Sequence, residues 1–183
     1  MENRRRIVGV IGSGSERHET LTIPLGRWLA DQGYDLINGA GRGVMEATAK
    51  AFTETEGRTG LALGILPSNH LCNTSKNRNT YQSPIGYPNK YIDIPIRTHL
   101  HLSGSQGMEI ASRNHIIILT ADIVIALPGG MGTRSEIQLT LEYGNPLIIL
   151  NPSSEGNEYK NSSAIVVRNI DAAFTEILRQ APS

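Results

Sequence analysis

Apolar runs of strand length alternate with stretches of helical period along this chain. Ile7 to Ile11 is a short, β-rich run closed by a Gly/Ser turn. From Glu19 to Gln32, Leu21, Leu25, Trp28 and Leu29 recur at helical spacing, and Gly33 is placed to end the helix. Tyr34 to Ile37 reads as the next strand, and Gly39-Ala40-Gly41-Arg42-Gly43 turns into a helix from Val44 to Thr55. Leu61 to Leu66 is a third strand, stopped by Pro67, and Tyr91 to Ile96 a fourth. Gln106 to Leu119 reads as a helix, Ile123 to Leu127 as a buried strand, and Thr133 to Tyr143 as a helix broken by Gly144-Asn145-Pro146. Leu147 to Leu150, a short run Ile165-Val166-Val167 and a helix from Asp171 to Gln180 complete the pattern.

Unbroken apolar strands alternating with helices imply a parallel sheet covered on both faces. The expected fold is therefore α/β: a Rossmann-like, doubly wound parallel sheet in three α/β/α layers. In such sheets ligands bind beyond the carboxyl ends of the strands, near the switch in strand order. Three glycine-rich turns follow strands, at Gly12 to Ser15, Gly39 to Gly43 and Gly129 to Gly132. All three are expected on one edge of the sheet. Ser68 to Lys90 is polar, rich in Asn, Ser and Pro, and without period; a loop of that length reads as an insertion near the site.

A length of 183 residues fits one domain spanning 1–183 and a core that needs no staples. Formal net charge is zero, so the many phosphate contacts of a nucleic-acid binder have no basic excess to draw on. A small anionic ligand needs only a local positive site. Met1 to Arg6 is basic and precedes an apolar run, but Gly12 to Arg17 ends that run too early for a signal peptide. No stretch approaches the roughly 20 apolar residues of a membrane span. The single cysteine, Cys72, allows no internal disulfide and fits a reducing cytoplasm.

Candidate chemistry centres on Leu127-Pro128-Gly129-Gly130-Met131-Gly132-Thr133, which leaves a buried strand and enters a helix. Glycines let the backbone approach an anion, and the first helical N–H groups then point at it. Thr133 is positioned to cap the helix or to offer its hydroxyl to a phosphate. An ordinary strand-to-helix turn uses the same residues. The P-loop lysine is missing, and Gly12-Ser13-Gly14 is no dinucleotide fingerprint. Glu136, read as lying in the first helical turn, suits either the helix dipole or catalysis. Arg113 falls mid-helix among apolar neighbours, where a solvated face is the simplest role. His99, His101 and His115 lack a carboxylate or cysteine at ligand spacing, so they read as polar residues bordering the pocket, with no metal or other cofactor expected. Trp28 and Tyr34 read as packing.

The string Pro128-Gly129-Gly130-x-Gly132-Thr133-x-x-Glu136 resembles the P-G-G-x-G-T-x-x-E signature of the Lonely Guy family of cytokinin-activating phosphoribohydrolases, whose relatives often carry the label "possible lysine decarboxylase". Arg113, fifteen residues before the motif's proline, Asp122 at the start of the preceding strand, Gly39-x-Gly41-x-Gly43-Val44-Met45 and Gly64-Ile65-Leu66-Pro67 extend the resemblance over Val8 to Leu150. Asn114 stands where that family has lysine, and Glu46 where it has glycine. These departures resemble a broader group that includes molybdenum-cofactor carrier proteins, which bind a phosphate-bearing pterin without hydrolysing it. The resemblance implies a homodimer binding a nucleoside monophosphate. Gly129, Gly130, Met131, Gly132 and Thr133 would hold the phosphate, Gly12, Ser13, Asn38 and Gly39 would border the nucleotide, and Glu136 and Arg113 would be catalytic. Decarboxylation finds no support, because Lys50, Lys76, Lys90 and Lys160 lie in no recognisable pyridoxal motif.

Overall fold

A computed structural model describes residues 4–153, 158–159 and 161–180; Lys160 and Met1 to Asn3 lie outside them. Seven parallel strands form one sheet: β1 Ile7–Ile11, β2 Asp35–Asn38, β3 Ala62–Leu66, β4 Ile94–Arg97, β5 Ile123–Ala126, β6 Leu147–Leu150 and β7 Ile165–Val167, in the order β4-β3-β2-β1-β5-β6-β7. The helices are α1 Glu19–Asp31, α2 Val44–Thr53, α3 Ser75–Asn79, α4 Asn114–Thr120, α5 Met131–Tyr143 and α6 Ile170–Gln180. The expected Rossmann-like architecture is observed. The order reverses between β1 and β5, so a crevice opens where those two strands end.

Strand period explains the continuous apolar runs. On β5, Ile123 and Ile125 point to the face covered by α1, α2 and α6, while Val124 and Ala126 point to the face covered by α4 and α5. Val8 and Val10 of β1 share the first face and Ile11 the second, in register with β5 at Val10 opposite Ile125. Trp28 stacks on Phe174 with ring centroids 4.5 Å apart, and on Tyr34 at 5.9 Å, sealing α1 against α6. Gly33 ends α1 with φ +75°; its N–H reaches Ala30 O at 3.0 Å and the Tyr34 N–H reaches Leu29 O at 3.1 Å.

Four expected elements differ. The helix expected over Gln106 to Leu119 is a 3-10 turn at Gly104–Gln106, an irregular segment and then the seven-residue α4. Ser135 holds it so, its hydroxyl hydrogen-bonding Gly104 O at 2.9 Å and drawing that loop over the start of α5. Arg113 is thus the residue that caps α4, not a mid-helix residue, and it is 4% exposed rather than solvated. Helix α5 starts at Met131 with Gly130 as its cap, so Thr133 does not cap it and Glu136 lies in the second turn. The fourth strand begins at Ile94 rather than Tyr91, because the Asp93 carboxylate accepts from the Ala62 N–H at 2.8 Å and from Arg58. Finally, the polar stretch Ser68 to Lys90 contains α3, capped by Thr74 Oγ1 accepting from the Asn77 N–H at 3.1 Å.

Candidate functional site

The backbone of Ser13 ties the three glycine turns together. Its N–H donates to Pro128 O at 3.1 Å, and its carbonyl accepts from the Val44 N–H at 2.9 Å. Both links need bare backbone. Gly43, at φ +62°, has no Cβ to strike Ser13 and Gly14, and a Cβ on Gly129 would meet Ser13 N at 2.8 Å. The Ser13 hydroxyl turns inward on its own loop, accepting from the Glu16 N–H at 2.9 Å.

The cavity these turns enclose has a volume of about 410 Å³ and opens at the ends of β1 and β5. Of the residues singled out from sequence, Gly12, Ser13, Gly39, Gly130, Gly132, Thr133, Arg113 and Glu136 line it. Asn38, Gly129 and Met131 do not. Asn38 is fully buried: its amide donates to Met45 O at 3.2 Å, and its Oδ1 accepts from the Ala40 N–H at 2.7 Å, so it shapes the second turn from beneath. Gly129 gives Thr133 Oγ1 room, and the Met131 side chain is exposed.

Arg113 and Glu136 are the charged residues on the cavity wall. The Arg113 guanidinium fills the space beside Gly39 that a Cβ would need. Nη1 donates to Asn114 Oδ1 at 3.2 Å, while Nε is buried without a partner. An unpaired buried donor costs roughly 1–3 kcal/mol, so this arginine is incompletely satisfied by protein alone. Among the described residues it forms no direct ion pair with a carboxylate. Glu136 is half-buried, and desolvation pushes its carboxyl up to about 7 against the downward pull of the Arg113 charge. The wall thus joins a fixed cation, a carboxyl that exchanges its proton near neutrality, and bare backbone at the start of a 13-residue helix. Such a set can hold an anion and move a proton beside it.

Asp122 stands apart, at the start of β5 and hence the opposite edge of the sheet. Its carboxylate accepts from the Ile7 N–H at 2.9 Å and pairs with Arg4. Burial pushes its carboxyl up, but these hydrogen bonds hold it below its ordinary value. Its place is structural. None of His99, His101 and His115 lines the cavity, against expectation. His115 bonds Tyr143 Oη at 2.7 Å instead.

Met45, Tyr87, Ser103, Gly104 and Asn114 line the cavity without having been singled out as binding residues. The aromatic in Gly86-Tyr87-Pro88, one of two tyrosines within the polar stretch, was the available signal for one of them.

The model of the SLOG cluster4 family matches residues 5–174. An uncharacterized protein of Archaeoglobus fulgidus is 34% identical over 148 residues, 79% of this chain and 80% of the relative. Among solved structures, the molybdenum cofactor binding protein from Rippkaea orientalis superposes with a TM-score of 0.71 at 28% identity, covering 97% of this chain and 98% of that one. The molybdenum cofactor carrier protein from Chlamydomonas reinhardtii gives a TM-score of 0.70 at 23% identity, with coverage of 97% and 98%. DNA processing protein A from Helicobacter pylori gives 0.65 at 19%, with 95% and 80%. The resemblance to Lonely Guy proteins and, more distantly, to molybdenum-cofactor carriers holds at this level, and the chain belongs to the SLOG cluster4 family.

Proposed function

We propose that this chain is a nucleoside 5′-monophosphate phosphoribohydrolase. The observation that carries the reading is Arg113, buried with an unpartnered Nε on the same cavity wall as Glu136. A phosphate seated on the N–H groups of Gly130 to Thr133 completes the electrostatics of that wall. Water then attacks C1′ of the ribose, and the bond from C1′ to the base nitrogen breaks with its electron pair on the base. The ionised Glu136 accepts a proton from the water and stabilises positive charge developing on the ribose; the proton passes to the base. The products are free base and ribose 5-phosphate. Arg113 binds the ligand and holds Glu136 in place. The ligand is a small molecule rather than nucleic acid, since the net charge is zero and one cation lines the cavity. No helix among the described residues is long and apolar enough to cross a membrane. A cytoplasmic homodimer is the accompanying assignment.

The test is incubation with a panel of nucleoside monophosphates and chromatography for free base. Release of base from at least one supports the hydrolase. A second reading, a non-catalytic binder of a nucleotide or pterin phosphate, draws on the 28% identity to a molybdenum cofactor binding protein over 97% of this chain. Tight binding with no base released from any monophosphate would favour it.

A further inference from the structure

We infer that Tyr87 is the residue that recognises the heterocycle of the ligand, an inference resting on the phosphate-site reading above. The segment before β4 is not a passive insertion. Asn89, itself buried, fastens it to the second glycine turn: its N–H donates to Ala40 O at 2.8 Å and its Nδ2 to Gly41 O at 2.9 Å. A turn closed by the Tyr87 N–H on Pro84 O at 3.1 Å then delivers the Tyr87 ring to the cavity wall.

There it meets Met45 over Gly41. A Cβ on Gly41 would lie 2.8 Å from Met45 Cε and 2.9 Å from Tyr87 Oη. Backbone, thioether and phenol thus form one closely packed wall. Tyr87 stays half-buried, and among the described residues its hydroxyl has no side-chain or backbone partner. The cavity therefore combines charged and bare-backbone surfaces at Arg113, Glu136 and the third glycine turn with a flat, weakly polar surface at Met45 and Tyr87. Its 410 Å³ is at the small end of ligand sites, the size of one nucleotide. A molecule with an anionic group and a planar heterocycle matches both surfaces. Aromatic faces bind bases by stacking, with little regard for sequence of hydrogen-bond groups.

The test is calorimetry with AMP, CMP and ribose 5-phosphate on the Glu136→Gln protein, so that no ligand is consumed, and on the same protein carrying Tyr87→Phe or Tyr87→Leu. Expected are a loss of about tenfold in AMP affinity with Tyr87→Leu, a smaller loss for CMP, near-full retention with Tyr87→Phe, and ribose 5-phosphate binding unchanged within about twofold. The leucine keeps the wall apolar, and the sugar phosphate reports whether the pocket is intact. Equal losses for AMP and ribose 5-phosphate would make Tyr87 a prop of the pocket and overturn the inference. So would unchanged AMP binding with Tyr87→Leu, or ribose 5-phosphate binding as tightly as AMP before Tyr87 is changed; both outcomes leave the phosphate site standing. Failure of all three ligands to bind would overturn the phosphate site itself, and the inference with it.

Discussion

The guanidinium of Arg113 occupies the space that a Cβ would take on Gly39. The pair lies 74 positions apart in the chain and meets only because α4 starts above the end of β2. Gly39→Ala must push the arginine off its seat, and Arg113 is too buried to move freely. The variant is expected to lose about 1–3 kcal/mol of stability by overpacking and to bind AMP more weakly. Thermal unfolding and calorimetry read the two effects. A variant that binds AMP like the wild type would remove Arg113 from the ligand site.

Thr133 offers a milder probe of the same wall. It is buried, its Oγ1 rests against Gly129, and among the described residues its hydroxyl has no hydrogen-bond partner. Thr133→Val keeps the shape and removes the hydroxyl. If that hydroxyl donates to a phosphate oxygen, AMP affinity falls by about 1–3 kcal/mol with little change in unfolding temperature. Unchanged affinity in calorimetry would take Thr133 out of the site.

How far this wall could be read from sequence depends on the range of the contacts that build it. Strands such as Ile123–Ala126 are buried on both faces, so they announce themselves as apolar runs, and strand–glycine–helix order places their turns on one edge. Arg113 was legible as a residue but not as a buried cap. The apolar pattern of Ile116 to Leu119 runs back into Gly107 to Ser112, whose conformation is set by Ser135 and Gly104 rather than by period. The resemblance placed Asn38 beside the nucleotide; its hydrogen bonds to the Ala40 N–H of the glycine turn and to Met45 O in α2 give it a scaffolding role instead. Tyr87 left almost no trace. Its position follows from Asn89 reaching Gly41, 48 residues away, and a contact of that range writes no local pattern.

Self-association has a surface to use. Beside α4, Ile110 is 91% exposed and Leu119 60%, while Ile117 and Ile118 of the same stretch are fully buried. Exposed apolar side chains just before α4 and near its end suit burial against a second copy. Light scattering at micromolar concentration is expected to give a dimer or higher mass, and Leu119→Glu to lower it. A monomer mass for the wild type would remove the homodimer.

Glu136 separates hydrolase from binder and carries a pH signature either way. Its folded value of about 7 is above the roughly 4.3 of an unfolded glutamate. Between those values the native protein holds a proton that the unfolded chain has released, so stability falls as pH rises through this window and levels off above it. Glu136→Gln removes the effect: the variant is expected to match the wild type near pH 4 and to exceed it by up to ~4 kcal/mol at pH 8. A wild-type advantage at pH 8 would mean the carboxylate is stabilised in the cavity, not strained there. Hydrolysis needs the ionised form, so kcat/KM is expected to rise through about pH 7, and Glu136→Gln to abolish base release while leaving AMP binding largely intact. The ground-state phosphate gains little from a neighbouring negative charge, whereas an oxocarbenium-like ribose gains a great deal. A binder shares the stability effect but shows no base release to abolish. A variant that is more stable at pH 8, still binds AMP and no longer hydrolyses it therefore assigns the strain of that carboxylate to chemistry; a wild type that binds AMP and leaves it intact assigns it to holding the ligand alone.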